Sequence, residues 1–460
     1  MSGPGHRLGL RVGWALACLA AARAWLVAGV ELGDDEAYYW TWSQHLDWSY
    51  FDHPGGIAWL IAVSTTIIGD TPLGVRAPLL LSSVGVSGLL AWMSRAHGRR
   101  GVWLGALLGA TLPVLGLMSV FSSPDLPMLL AWLGAVAVAE HLRRDTLRLW
   151  MLAGALVGAT LLFKLTGVLL AAGLVGWTLS HPDRRRWWST PGPWLAVATA
   201  LLVSTPTWSW NLVHDFPTFR FHAGGRHTHS PSLLHGVGLW GGVHLILLLP
   251  TIGWAMLRSP SSARRTLLFW VAAPTWLVFS LATLITAAKP HWWAPAWVTL
   301  LPLAVGWLAA RPNHAVRVVT IAGALHLAVI GMARFTPGPL LTATAELQGW
   351  QALAADLSSH PSEAWVTPRY QASSQLEWGN RAGAPMRVLR VGGRADQYSV
   401  WGRDEVPRQG PILLICPSHL PCAPSDVPGL SCPQEPRRPA THIGGQVVRT
   451  FDVWTCQPSG

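Results

Sequence analysis

The feature that most constrains this chain is a series of eleven apolar segments within its first 334 residues. Many of them are close to the ~20 residues that a helix needs to cross a bilayer. Soluble domains rarely combine 51% hydrophobic with only 12% charged residues. The pattern predicts a mainly α-helical, polytopic membrane protein with about eleven transmembrane helices. The apolar runs are 8–30, 72–94, 101–120, 126–140, 146–163, 165–180, 193–210, 233–257, 266–287, 291–310 and 315–333.

The net charge of +11 belongs to the membrane region. Residues from 335 onward carry ten basic and ten acidic side chains, whereas residues 1–334 carry 23 basic and 12 acidic ones. Sixteen of those 23 lie at the amino terminus and in every second loop, which is the positive-inside pattern and not a nucleic-acid surface. It predicts a cytoplasmic amino terminus and an extracytoplasmic chain after residue 334. No small-residue cleavage site follows the first helix, so we expect that helix to stay as an anchor.

A Pro/Gly-rich stretch, FTPGPL, marks a change to water-soluble composition. We therefore predict a transmembrane domain over 1–334 and an extracytoplasmic domain over 335–460. In the latter, AWVTP, MRVLRV, PILLIC and VVRTFDVW predict strands and QASSQLEW a helix, a mixed α/β pattern, while the proline-rich 417–439 reads as loop. Four cysteines in this domain predict one or two disulfides, with the connectivity left open: Cys416, Cys422, Cys432 and Cys456.

The segment after the first helix is expected to carry the chemistry. Between Glu31 and Asp52 it holds six acids and no lysine or arginine, in a polar, aromatic-rich sequence that we interpret as an external loop. Clustered carboxylates raise one another's pKa and attract counter-charges, so a cluster of this kind is a candidate functional site.

Two lysines stand against 31 arginines in the chain. Lys164 and Lys289 are both expected near the outer surface, because they lie ~24 Å and ~36 Å along their helices from the nearest preceding cytoplasmic arginine. A lysine is a compact charge suited to a phosphate oxygen. The alternative is a snorkelling side chain that anchors a helix end.

Other charged residues are further candidates, and several of them lie in turns or loops that the predicted topology places at the outer surface. Asp125, in the turn FSSPD, is either a functional carboxylate or an ordinary helix N-cap. Arg220 and Arg226 lie in an external loop beside several histidines. Arg23, inside the first helix, is expected either to face a cavity or to pair, with the acidic segment as a candidate source of its partner. Carboxylates and cations together suit transfer of a group from a phosphate, with a base for the acceptor hydroxyl and cations for the leaving oxyanion.

Several motifs, in order, resemble the polyprenyl-phosphate-sugar-dependent glycosyltransferases of the GT-C class, the bacterial group related to protein O-mannosyltransferases and the lipid A aminoarabinose transferase. They are DDEAYYWTWSQHLDWSYFDHPGGIAWLIA, SSPDLPMLL, TLLFKLTGVLL, WNLVHDFPTFRFHAGGR, KPHWWAPAW, RYQASSQLEW and GRADQYSVW. The resemblance implies a GT-C-like fold and transfer of a sugar, with inversion, from a polyprenyl-phosphate donor to an acceptor hydroxyl at the outer face of the cytoplasmic membrane. The acceptor is a lipid, a cell-envelope glycan or a protein.

The same resemblance implies roles for individual residues. Asp35 would be the base, Glu36 would position acceptor or sugar, and Asp52, followed by His53, would contact sugar or metal. Asp34 is an extra acid that can compete with Asp35. The implied substrate-binding residues are Lys164, Asp125, His53, Arg220, Arg226, Lys289 and Tyr38. No residue is assigned as a metal ligand, although Asp52, His53 and His222 together are side chains of the kind that bind a divalent ion.

Two other functions remain as alternatives. A flippase or transporter for lipid-linked sugars would place polar groups through the membrane midplane, whereas the acids here cluster near one surface. A non-catalytic scaffold would not need the acids and lysines together.

Overall fold

A computed structural model describes residues 4–225, 233–246, 250–258, 262–284, 286, 288–335, 349–381, 385–388, 395–418, 422–443 and 446–459. The chain forms two compact units that are not contiguous in sequence. The first contains residues 1–25, 53–57 and 76–330, and the second contains residues 26–52, 58–75 and 331–460. The acidic segment thus groups with the carboxyl-terminal region.

The first unit is helical. Each of the eleven apolar runs contains a helix, and prolines start several of them because an N1 position needs no amide donor. The helices that lie wholly or mostly in this unit are Pro4–Ala28, Pro72–Met93, Gly98–Thr111, Pro113–Val120, Asp125–Ala139, Leu147–Phe163, Gly167–Leu179, Pro182–Arg185, Pro191–Val213, Pro217–Arg220, Leu233–Ile246, Pro250–Leu257, Ala263–Ala282, Ala294–Ala309 and Pro312–Phe335. Short 3₁₀ or π turns cover Arg95–His97, Arg186–Ser189, Phe221–Gly225 and Pro290–Trp293.

Length and composition identify the protein as a membrane protein. Within the described ranges, three helices are long and apolar enough to cross a bilayer: Pro72–Met93, Ala263–Ala282 and the segment Pro290–Ala309. A fourth span is formed if the helices on either side of Leu112, which bend by 55°, are counted as one. Several further apolar helices are shorter, so the count of eleven crossings stays a prediction.

Small residues let helices approach closely. A Cβ added to Gly154 would meet the backbone of Ala196, and one added to Gly158 would lie 2.8 Å from the Cβ of Val203. Helices Leu147–Phe163 and Pro191–Val213 therefore pack backbone against backbone, as small residues allow in membrane proteins.

The second unit is built around a mixed sheet. Its strands are β1 Ala364–Thr367, β2 Met386–Val388, β3 Ile412–Pro417, β4 Leu430–Ser431, β5 Ala440–Ile443 and β6 Gln446–Pro458, with the order β2-β1-β3-β6-β4 and β5 paired to β6. The parallel pair β1–β2 is joined by helix Tyr370–Gly379, the crossover that parallel strands require. All four predicted strand segments form strands, and QASSQLEW lies in this helix.

Helices complete this unit. They are Asp34–Gln44, Gly56–Ile68, Trp350–Ser358, Tyr370–Gly379 and Gln397–Val400, with a 3₁₀ turn at Pro424–Asp426. The fully buried strand β3 pairs in parallel with β1 (Val366 opposite Leu414) and antiparallel with β6 (Leu414 opposite Trp454). Disulfides join Cys416 to Cys422 and Cys432 to Cys456, and Cys416, Cys422 and Cys456 are buried in the core.

Candidate active site

A buried ion pair joins two of the predicted residues in the first unit. Lys164 Nζ lies 2.6 Å from Asp125 Oδ1, and both side chains are less than a tenth exposed. On the other side of the carboxylate, His291 Nε2 lies 3.7 Å from Oδ2. Lys289 also interacts electrostatically with Asp125. Both lysines of the chain therefore converge on one carboxylate.

The ends of helices bring these groups together. Asp125 is the first residue of helix Asp125–Ala139, and Lys164 is the extended residue at which helix Leu147–Phe163 ends. Lys289 immediately precedes the 3₁₀ turn Pro290–Trp293, which contains His291. In a membrane protein, helix ends and turns can present charged side chains to a ligand, whereas charges in the middle of a transmembrane helix have to be buried.

The cluster carries net positive charge. One carboxylate meets two ammonium groups, with a histidine beside them. Burying the Asp125–Lys164 pair costs desolvation free energy, which only a well-formed pair repays. A lysine that merely anchored a helix end would not need such a buried partner. Lys289 is exposed and accessible to a ligand. The arrangement suits an anion such as a phosphate.

In the second unit, the acidic segment is a helix where the sequence predicted a loop. Helix Asp34–Gln44 begins with Asp34, Asp35 and Glu36 in its first turn. Negative charge is favoured there because the amide groups and the helix dipole point toward it. The sequence shows no apolar stripe in this helix, and eight of its residues are buried, so packing rather than local pattern determines its conformation.

The first two acids of this helix have different environments. Gln375 Nε2 donates to Asp34 Oδ1 at 3.0 Å and to the carbonyl of Leu32 at 2.7 Å. Asp35 is exposed, and the hydroxyl of Tyr370 donates to its Oδ1 at 3.2 Å. Asp34 is therefore tied to the carboxyl-terminal region, whereas Asp35 is held in place and accessible.

The remaining predicted residues of this segment are buried. Glu36 accepts from the amide of Gly33 at 2.8 Å, and Asp52 is 6% exposed. The hydroxyl of Tyr38 accepts from the amide of Gln397 at 2.6 Å. Burial, and then the carboxylates of Asp52 and Asp396, hold the pKa of Tyr38 well above its usual range. Tyr38 and Asp52 are thus close neighbours.

A second polar group secures the same helix. Glu377 accepts from the hydroxyls of Tyr398 at 2.7 Å and Thr41 at 3.3 Å, and pairs with Arg403. Arg403 also approaches His45 Nε2, at 3.0 Å. The motif RYQASSQLEW supplies Glu377 and the motif GRADQYSVW supplies Tyr398, and both hold the acidic helix within its unit.

The other predicted residues of the first unit are less closely grouped. The rings of His53 and His222 lie 5.7 Å apart, with His53 buried. Arg220 ends helix Pro217–Arg220 with an exposed side chain, and Arg226 lies outside the described residues. The described residues contain no group of three or more metal-binding side chains, so two histidines alone are a weak fit for a divalent ion.

Three observations go beyond or against the sequence predictions. Arg23 Nε donates to His326 Nε2 at 3.1 Å, and the guanidinium also bonds Ser83 and the carbonyl of Ala110, so the expected pairing with a carboxylate of the acidic segment is wrong. His291 was missed, although it follows Lys289 by two residues in the motif KPHWWAPAW. Arg76, almost fully buried in helix Pro72–Met93, was also missed. Its position inside an apolar run was the available signal.

Comparison with known proteins agrees with this picture. Residues 52–210 match the family described as dolichyl-phosphate-mannose-protein mannosyltransferase. The lipid A galacturonosyltransferase RgtD of Rhizobium johnstonii is 30% identical over 297 residues, a match that spans 60% of this chain and 60% of that protein.

Solved structures show the same fold. ArnT from Cupriavidus metallidurans in the apo state is 16% identical, with a TM-score of 0.68 over 96% of this chain and 98% of that one. The structure of that ArnT bound to undecaprenyl phosphate gives a TM-score of 0.66 at 16% identity, with the same coverage. The resemblance of this chain to the polyprenyl-phosphate-sugar-dependent glycosyltransferases of the GT-C class is thus confirmed.

Proposed function

We propose that this protein is a membrane glycosyltransferase that moves a sugar from a polyprenyl-phosphate donor to an acceptor hydroxyl at the outer face of the cytoplasmic membrane, with inversion at the anomeric carbon. The observation that carries the proposal is the convergence of both lysines on Asp125, in a chain with the fold of ArnT. That convergence is a site for an anion on a membrane protein.

The cation cluster is proposed to bind the donor phosphate. Lys289 is the exposed charge, and Lys164 is fixed by its 2.6 Å pair with Asp125. Because the cluster is net positive, it attracts the phosphodiester and stabilises the phosphate that leaves. Arg220 and Arg226 are proposed to assist, and His53 to contact the sugar.

Asp35 is proposed to be the base. It is exposed, whereas Asp34 is engaged by Gln375 and Glu36 by the helix start. We assign Glu36 and Asp52 to the positioning of sugar or acceptor. Tyr38 is buried and bonded to Gln397, which favours a positioning role for it, through Asp52, over direct substrate contact.

The reaction is a single displacement. The acceptor hydroxyl transfers its proton to Asp35 while its oxygen bonds the anomeric carbon, and the bond from that carbon to the phosphate oxygen breaks. Polyprenyl phosphate leaves as a stable anion, so no second carboxylic acid has to protonate it, unlike in glycoside hydrolysis.

The name of RgtD suggests the first substrates to test. We propose a lipid A-type glycolipid as acceptor and a galacturonosyl group as the sugar, with other glycans, lipids and proteins as further acceptors. We also propose that residues 1–334 cross the membrane about eleven times, and that residues 335–460 lie outside, opposite a cytoplasmic amino terminus.

The test is donor turnover in membranes. Radiolabelled polyprenyl-phosphate sugars are supplied with lipid A to the wild-type protein, to Asp35→Asn and to the matched Asp34→Asn. We expect label in lipid A from wild type and Asp34→Asn and none from Asp35→Asn at equal protein level. If donor crosses the membrane intact without transfer, the protein is a transporter instead.

A further inference from the structure

An apolar groove lies in the first unit, far along the helices from the cation cluster. Helices Leu147–Phe163, Gly167–Leu179 and Pro191–Val213 enclose a cavity of about 110 Å³ with an almost wholly apolar lining. Gly154, Ala196 and Ala200 form part of it, so its floor consists of small residues. Apolar cavities of this size stay dry, which makes hydrocarbon the suitable occupant.

The walls of the groove reach the surface of the unit. Val175 and Val197 line it and are 38% and 40% exposed, and Trp194 next to it is 58% exposed. Trp150, Trp177 and Trp188 form one end of the groove. Helices Leu147–Phe163 and Pro191–Val213 begin near this end, and helix Gly167–Leu179 ends near it. Tryptophan is enriched at the interface between hydrocarbon and headgroups.

Arginines rim that same end. Trp150 Nε1 donates to the carbonyl of Arg143 at 2.8 Å, and the guanidinium of Arg143 donates to the carbonyl of Leu142. Arg184 donates to the carbonyl of Trp177 at 3.1 Å, with its guanidinium carbon 4.9 Å from that ring. Four further arginines and two aspartates lie within five residues of Arg143 or Arg184 in the sequence: Arg144, Arg148, Arg185, Arg186, Asp145 and Asp183. The rim is therefore strongly cationic.

We propose that this groove binds one acyl chain of an anionic phospholipid whose phosphate is held by Arg143 and Arg184. The apolar cavity accommodates the acyl chain, and the tryptophans mark the depth of the lipid headgroup. The positive rim selects the negatively charged phosphate. The site is separate from the donor site, because the tryptophan end of helix Leu147–Phe163 is ~21 Å from Lys164, at 1.5 Å per residue.

The test measures lipid binding by the purified full-length protein in detergent. Native mass spectrometry compares phosphatidylglycerol with phosphatidylcholine of identical acyl chains. Each arginine near a headgroup contributes about fivefold in affinity for an anionic lipid, so we expect at least that preference for phosphatidylglycerol. Equal binding of the two lipids would overturn the proposal, and glycerol phosphate, which lacks chains, should not compete.

Matched variants separate the groove from the bulk surface. Ala171→Phe fills the groove, whereas Ala172→Phe makes the same change at the neighbouring exposed position that does not line it. Arg143→Gln with Arg184→Gln removes the rim charges. Arg311→Gln is the control, since Arg311 bonds and stacks on Trp307 in a similar manner elsewhere.

We expect Ala171→Phe to lose bound phosphatidylglycerol and the double arginine variant to lose the preference over phosphatidylcholine, with both controls unchanged. If Ala171→Phe and Ala172→Phe bind lipid equally, the groove is not the site. A thermal melt of each variant identifies any that fail to fold, and for those the milder Ala171→Leu against Ala172→Leu gives the same comparison.

Discussion

The two units hold their charges in opposite ways. In the first, the Asp125 carboxylate is buried and directly paired with Lys164, so its charge is balanced within the cluster. In the second, Asp34 and Asp35 stand at a helix start and are bonded by the neutral groups of Gln375 and Tyr370. Neutral donors hold a carboxylate in place without cancelling its charge. The comparison indicates why one region suits anion binding and the other suits accepting a proton.

The largest expected effect comes from removing the exposed carboxylate. Asp35→Asn is expected to lower sugar turnover by about 10²–10⁴, the contribution of a positioned base. Asp34→Asn should change turnover only a few-fold, because the new amide oxygen still accepts from Gln375. Rates from labelled donor measure both, and equal losses in the two variants would remove the distinction between the acids.

The buried pair is expected to dominate stability. Lys164→Met leaves the buried Asp125 without its 2.6 Å partner, and breaking a buried pair costs about 3–5 kcal/mol. The matched change is Arg264→Met, whose pair with Glu140 at 2.7 Å is more exposed and should cost less. Thermal unfolding in detergent compares them. A smaller loss in Lys164→Met than in Arg264→Met would contradict the account of the first unit.

A neutral donor should affect rate more than binding. Tyr370→Phe removes the 3.2 Å hydrogen bond to Asp35, and a bond to a charged group contributes about 1.5 kcal/mol, or about tenfold. We expect kcat to fall while KM for the donor stays unchanged. Tyr398→Phe, which removes the bond to Glu377, should lower stability but leave kcat intact. An equal fall of kcat in both variants would indicate a merely structural role for Tyr370.

The smallest effect concerns pH. Burial, and then Arg403, lower the pKa of His45 below its usual 6.5. Because the pKa of His45 is lower in the folded protein than in the unfolded chain, the unfolded chain takes up the proton first as the pH falls. The free energy of unfolding is therefore highest above pH ~6.5 and decreases as the pH falls through the folded pKa. Once the pH dependence of the intrinsic, base-catalysed exchange rate is divided out, the protection of residues 34–52 against hydrogen exchange should therefore fall on acidification, and His45→Gln should flatten that response. Protection that rises at low pH would contradict the sign.

The sequence predicted the first unit's cluster better than the second unit's helix. FSSPD, the lysine of TLLFKLTGVLL and the lysine of KPHWWAPAW each stood out locally, because a charge or turn interrupts an apolar run. That Asp125, Lys164 and Lys289 meet depends on helix packing, for which only the resemblance offered a guide. His291 escaped notice because a single histidine next to prolines and tryptophans is ordinary at a membrane surface.

The acidic segment shows the opposite limit. Its acids were evident, but its conformation was not, since DDEAYYWTWSQ has no helical period and is stabilised by residues more than 300 positions away, such as Gln375 and Tyr370. Four strands of the carboxyl-terminal region, β1, β2, β3 and β6, were predictable from β-branched and apolar runs, whereas the short β4 lies in the proline-rich 417–439 that was predicted to be loop. The pairing of Cys416 with Cys422 was not, because sequence spacing leaves several connectivities.

The most direct test of the account measures donor binding and turnover on the same variants. Asp35→Asn and Lys289→Gln are purified, and binding of undecaprenyl phosphate and transfer of labelled sugar are both determined. The account predicts that Asp35→Asn binds the lipid phosphate as wild type does but transfers no sugar, and that Lys289→Gln binds it more weakly. Transfer by Asp35→Asn at the wild-type rate would contradict the assignment of the base, and with it the proposed division between the two regions.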